Sequence, residues 1–247
     1  MPDGFAGFPG FVDLHCHLLY GVDDGAKTID DSLEMARALC DLGFSDVAPS
    51  PHARREYAEE SLCRSRLSEI AAALKAEAIP LSLHPNAENF FFEPGFLEDF
   101  GDRTRKLGAG KYVLVEAPYT APVSVLPELI FRMKIKGVTP LIAHPERCME
   151  FEKKGRAKEA VDAGALLQLD IGAITGRYGG TAKKLSRQFL EDGLYAVAAT
   201  DLHSPVGARD WVGKAIKELR TRAGEGGAAR LLGDHPRRLL QGLPLEA

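Results

Sequence analysis

Cysteine is scarce in this chain and never clustered. Four residues, Cys16, Cys40, Cys63 and Cys148, are scattered through 247. That spacing argues against a zinc knot or a secreted disulfide scaffold and leaves reduced, partly buried thiols. Long apolar runs are also missing. The start, MPDGFAGFPG, has no basic segment followed by a hydrophobic one, and no later stretch is long enough to cross a bilayer. The expectation is a cytoplasmic protein with no membrane insertion. An excess of positive charge is absent too: 31 Lys and Arg against 35 Asp and Glu give a net charge of -4, with both signs mixed along the chain. No basic face of the kind that nucleic acid requires is expected.

What is present is an ordinary soluble balance, 45% hydrophobic and 27% charged, which suits one domain over residues 1–247 with a sizeable core. Short apolar runs rich in β-branched residues alternate with longer amphipathic stretches, the pattern of strand-helix units around a parallel sheet. The pattern predicts an α/β fold with seven strands, near 11–15, 46–50, 81–86, 112–116, 139–143, 166–170 and 196–200. Helices are expected near 30–42, 57–77, 124–136, 155–163, 181–192 and 209–222. Asp30 and Asp31 supply capping and first-turn acids for the first helix, which runs to Gly43. The AGEGG segment at 223–227 reads as a loop before a short final helix.

Five of the seven histidines fall at or just beyond predicted strand ends, the face on which barrel enzymes build their sites. His15 and His17 are two apart on an extended segment, so both side chains point to one side, as two ligands of one metal must. His52 follows the second strand in SPH, Glu88 the third, Glu116 ends the fourth, His144 follows the fifth in AHPE, and Asp201 with His203 follow the seventh. With Asp24, in the loop after the first strand, these make nine candidate ligands, enough for two or three divalent ions, with Glu88 a natural bridge. Imidazole and carboxylate without thiolate suit zinc, manganese or iron.

Clustered divalent ions activate water and clamp the oxygens of a phosphoryl group, so phosphate-ester hydrolysis is the chemistry expected. A phosphate dianion also wants guanidinium partners, and Arg54, Arg55, Arg147 and Arg209 all lie near candidate ligands. Arg54, Arg147 and Arg209 are the candidates for a catalytic cation; Arg147, Arg55 and Tyr178 are the candidates for substrate binding. A cysteine phosphatase needs an arginine six positions after its thiolate. Here the sixth residues are Val22, Asp46, Glu69 and Lys154. No Gly-x-Ser-x-Gly elbow supports a serine hydrolase.

The segments FVDLHCHLLYGVDDGAKTIDDSLEMARA, SPHARREY, AEN, VEAP, AHPER and ATDLHS resemble the polymerase and histidinol phosphatase (PHP) superfamily over nearly the whole chain. YGVDDG with the TIDDSLEMA helix, and ITGRYGG at 174–180, are similar to bacterial protein-tyrosine phosphatases of capsule and exopolysaccharide synthesis. The resemblance implies a distorted, TIM-like (β/α)7 barrel with three divalent metal ions, manganese foremost and iron or zinc as alternatives. It puts His15, His17, Glu88 and Asp201 on the first ion, Glu88, Glu116 and His144 on the second, and Asp24, His52 and His203 on the third. It also implies a metal-bound hydroxide as nucleophile, no phospho-enzyme, and a phosphotyrosine protein, a bacterial tyrosine kinase, as partner. An oligomer is compatible with it. Four positions depart from the family pattern: Asn86 and Ala87 before Glu88, Arg209 one residue further from His203, and Asp170 where asparagine is usual.

His84 and His235 fall outside the motifs and read as structural, and Phe90, Phe91 and Phe92 more often pack a loop than a substrate. Tyr119, like Tyr178, lies on a loop at the site end and could orient a phosphate or phenol ring. Two other enzyme classes share the ligand types. One is a histidinol-phosphate or other small-molecule phosphatase, against which the DDG loop argues. The other is a metal-dependent nuclease, against which the missing basic channel argues.

Overall fold

The computed structural model describes residues 10–91, 96 and 104–245, so Phe92 lies outside the described residues. Strands and helices alternate. β1 (Phe11–Asp13), α1 (Ile29–Asp41), β2 (Phe44–Val47), β3 (His52–Ala53), α2 (Glu60–Ala76), β4 (Ser82–Leu83) and β5 (Glu88–Phe90) come first. β6 (Tyr112–Glu116), α3 (Leu126–Ile135), β7 (Thr139–Ala143), α4 (Arg156–Ala163), β8 (Leu166–Asp170) and α5 (Ile171–Thr175) follow. α6 (Gly180–Glu191), β9 (Tyr195–Ala199), α7 (Ala208–Ala229) and α8 (His235–Leu240) complete the order.

All ladders are parallel, in two sheets of order β1-β2-β4 and β3-β5-β6-β7-β8-β9. The second and third expected strands are therefore each split in two. The physical reason is proline: Pro49, Pro51 and Pro85 have no N–H to give a ladder. Single bonds carry the chain across the gaps, from Ala48 N to Asp13 O (2.7 Å), Ser50 N to Cys16 O (2.9 Å), His84 N to Val47 O (2.9 Å) and Glu88 N to Pro51 O (3.1 Å). The last strand returns to the first through Asp201 N to His15 O (2.8 Å) and His17 N to Leu202 O (2.9 Å). The seven expected strands thus form the staves of a distorted α/β barrel.

Alternation along the staves decides what reaches the interior. Val12, Leu14, Leu114, Leu141, Ala143 and Val197 meet inside, with Leu239 of α8 closing one end. Val113, Val115, Ile142, Leu167, Leu169 and Ala198 face the helices in a second cluster. Tyr112 and Leu114 are interior residues, so Glu116, next in phase, arrives on the same side at the far end. Gln168 and Asp170 follow Leu166 in the same way on β8.

α1 starts on a capping box, Thr28 Oγ1 accepting from Asp31 N (3.1 Å) while the Asp31 carboxylate accepts from Thr28 N (3.1 Å). Two helix expectations change. α2 begins at Glu60 rather than near 57. AGEGG is not a loop: α7 continues through it to Ala229, with only Gly224 (φ 73, ψ 169) leaving helical geometry. Glycine takes that conformation without steric cost, so one residue absorbs the whole bend. No described helix is long and apolar enough to cross a membrane.

Candidate metal centre

His15 and His17 leave β1 side by side, each with a ring nitrogen already committed. The Nδ1 of His15 lies 2.8 Å from Gln168 Oε1, and the Nδ1 of His17 lies 2.8 Å from Asp23 Oδ2. Both Nε2 atoms therefore face inward, 3.3 Å apart. Around them stand Asp201 Oδ1, at 3.1 Å from His15 and 3.4 Å from His17, and Glu88, at 3.4 and 3.7 Å. His144 Nε2 reaches Glu88 Oε1 at 3.0 Å.

The DDG loop brings the second half. Gly25 presses against His17 so closely that a Cβ there would sit 2.2 Å from the His17 carbonyl oxygen, so no other residue fits. That contact places Asp24, whose Oδ1 is 3.4 Å from both His52 Nε2 and His203 Nε2. His203 stacks on His17 with ring centroids 3.9 Å apart. All nine expected ligands fall into four overlapping groups able to hold a cation. They are His17, Asp24, His52 and His203; His15, His17 and Asp201; His15, Glu88 and His144; and His52, Glu88 and Glu116. Glu88 is shared by two groups. Glu116 groups with His52 and Glu88 rather than with His144, and its carboxylate is also ion-paired with Arg54.

The donor chemistry fits divalent ions. His144 Nδ1 is buried without a hydrogen-bond partner, a costly state for a group with no ligand to bind, while His52 Nδ1 faces the Glu88 carboxylate at 2.8 Å. Burial alone would lower the pKa of His17 and His52, yet bonds from Asp201 and Asp23, and from Asp24 and Glu88, raise each to about 9. Burial likewise opposes ionisation of Glu88 and Asp201, but the surrounding imidazoles, His15 first, hold both carboxyls well below their ordinary range. Here protons balance the carboxylates; a bound cation would displace them, since metal ligands must be deprotonated. Among the described residues only Ala78, His144 and Asp201 combine a side chain with positive φ. Two of these three are candidate ligands, and such strain, roughly 1–3 kcal/mol each, gathers at functional sites.

The arginines divide. Arg147 lies at the edge of the cluster, its Nη1 3.0 Å from Asp170 Oδ2 and 2.5 Å from Asp201 Oδ2. Its guanidinium is flanked by Tyr178 and Tyr119, at 4.0 and 4.9 Å from the ring centroids. These three residues, with Glu152 and Thr181, line a cavity of about 370 Å³. Arg54 is packed over Phe90 and paired with Glu116, while Arg55 is exposed. Arg209 is the correction: its Nε and Nη1 bind Asp41 (2.7 Å) and Glu34 (2.5 Å) on the outer face of α1. Two acids placed at Arg209 by the packing of α1 on α7 direct it outward, and the structure does not bring it to the ligands.

Asp23 and Gln168 are functional neighbours that no motif announced. Gln168 did carry a signal, a polar residue at an inward position of LLQLD; Asp23 was hidden beside Asp24. Asp170 accepts from Arg147 and caps α5 through Gly172 N at 2.8 Å. His84 bonds Asp46 and His235 bonds the Ala196 carbonyl, both outside the cluster. Phe91 is fully buried.

Residues 11–241 match the family described as "Capsular polysaccharide synthesis, CpsB/CapC". Tyrosine-protein phosphatase YwqE of Bacillus subtilis is 32% identical over 198 residues, 78% of this chain and 77% of that one. Tyrosine-protein phosphatase CpsB of Streptococcus pneumoniae is 24% identical over 238 residues, 93% of this chain and 98% of that one. A crystal structure described as YwqE and CpsB, "unique metal-dependent tyrosine phosphatases", superposes with a TM-score of 0.86 at 29% identity, covering 95% of this chain and 96% of the other. With a match of that extent, the chain belongs to the CpsB/CapC family.

Proposed function

We propose that this protein is a metal-dependent protein-tyrosine phosphatase, a phosphoric monoester hydrolase. The observation that carries the reading is the convergence of nine histidine and carboxylate side chains into overlapping cation-binding groups with Arg147 at their edge. His15, His17, Asp24, His52, Glu88, Glu116, His144, Asp201 and His203 would hold three divalent ions. Manganese is the assignment, and iron or zinc suit the same nitrogen and oxygen donors. Such ions supply an activated water and neutralise charge on the phosphoryl oxygens.

The chain's own residues do the rest. Arg147, anchored by Asp170 and Asp201, presents its remaining N–H groups to the phosphate, where a guanidinium makes paired hydrogen bonds that lysine cannot. Tyr178 and Tyr119 give the cavity beside it aromatic walls, which suit the ring of a phenyl phosphate. Arg54 is the second cation of the set. The relatives' names support phosphotyrosine as substrate, and the family's place in capsular polysaccharide synthesis supports a bacterial tyrosine kinase as the phosphoprotein.

The test compares hydrolysis of a phosphotyrosine peptide, histidinol phosphate and single-stranded DNA by the manganese-loaded protein. Preference for the peptide is the expected result. Faster turnover of histidinol phosphate would replace the substrate assignment, and cleavage of DNA would replace the reaction class.

A further inference from the structure

One carboxylate touches three separate parts of the cluster without belonging to any of its cation-binding groups. Asp23 Oδ2 accepts from His17 Nδ1 at 2.8 Å and from His52 N at 3.1 Å, and Oδ1 accepts from Gly25 N at 2.9 Å. It thereby ties the end of β1, the DDG loop and the start of β3 to one another. Those are the segments that carry His17, Asp24 and His52, three of the four members of one group. Of the others, the group of His15, His17 and Asp201 and the group of His52, Glu88 and Glu116 each contain one residue that Asp23 bonds, and the group of His15, Glu88 and His144 contains none. His15 has its own orienting partner in Gln168.

We infer that Asp23 is a positioning residue that selectively assembles the His17, Asp24, His52 and His203 cation site, an inference that rests on the metal-dependent reading above. The chemistry of the bonds makes it specific for a carboxylate. Both oxygens of Asp23 accept, so an asparagine of the same shape must turn its NH2 toward a donor whichever way it sits. In one orientation it opposes Gly25 N–H and loosens the loop that carries Asp24. In the other it opposes His52 N–H and His17 Nδ1–H, and His17 must shift its proton to Nε2, the atom that faces the site. Partners that fix the tautomer and direction of a ligating histidine commonly govern metal affinity by about 10–100-fold.

The experiment loads wild type, Asp23→Asn and His203→Ala with manganese and counts ions per chain by mass spectrometry across a range of free metal. The melting temperature of each metal-free protein is recorded alongside. The expected result is that Asp23→Asn loses the same ion as His203→Ala, its affinity falling about 10–100-fold, while the other ions stay and metal-free stability changes little. Full retention of every ion at wild-type affinity would overturn the inference. So would loss of all ions together with a large fall in metal-free melting temperature, since Asp23 would then be a structural residue of the loop. A wild type that takes up no divalent ion would instead overturn the metal-dependent reading itself.

Discussion

At one end of the barrel Asp46 meets His84 (2.8 Å), Ser45 (2.7 Å) and Arg237 (3.0 Å); at the other Asp201 meets His15 (3.1 Å), His17 (3.4 Å) and Arg147 (2.5 Å). The residue types are nearly the same. Asp46 lies on β2, and His52 opens β3 six positions later. Around Asp46 each carboxylate oxygen has its own donors and the backbone is ordinary strand. Around Asp201 a single oxygen is shared by two imidazoles that also crowd Glu88, and the backbone is left-handed at φ 52. Paired charges with satisfied donors hold a fold together; donors aimed at one point, with strain and an orphaned imidazole nitrogen on His144, await a ligand.

The largest effect should come from breaking the crowded end. Glu88→Ala removes the carboxylate shared by two groups, so hydrolysis should vanish and bound metal should fall, read by metal analysis and turnover together. Arg147→Ala should keep the metal and lower kcat/KM for a phosphotyrosine peptide by about 10²-fold, the scale for loss of one charge-stabilising donor. An unchanged kcat/KM and phosphate affinity would remove Arg147 from substrate binding.

At the quiet end, Asp46→Asn should leave turnover intact and cost stability. Burial pushes the Asp46 carboxyl up, but bonds from His84, Ser45 and Arg237 outweigh it and lower the pKa from 3.8 to about 2. A depressed acid stabilises the fold above its unfolded pKa and loses that contribution as pH falls through its folded one, here from 3.8 toward about 2. Allowing for its partial exposure, roughly 1–2 kcal/mol is expected near neutral pH, and the variant's stability should vary less across the acid window in urea titrations. Smallest of all, Thr28→Ala should cost about 1 kcal/mol through loss of the α1 cap, again without effect on turnover.

This contrast also explains what could be read from the sequence. Candidate ligands such as Glu116 and His144 were legible because they stand at the end of an apolar run, as in YVLVE or LIAH, and strand alternation carries them inward; Asp24, in the DDG loop, was not marked that way. The split of the second and third strands was written in Pro49, Pro51 and Pro85, residues whose effect depends on which ladder bonds they interrupt. Arg209 was misplaced because proximity in sequence to His203 says nothing about Glu34 and Asp41, which come from α1. Asp23 and Asp24 look alike as DDG; only the turn at Gly25 decides that the second faces His203 and the first turns back to His17.

The most direct test of the central claim is to strip the protein of metal with a chelator, reload it with manganese in steps, and follow bound ions and phosphotyrosine hydrolysis on the same samples. Activity that disappears with the ions and returns as the nine-residue cluster refills is the predicted result. Phosphotyrosine turnover that persists in metal-free protein would contradict it.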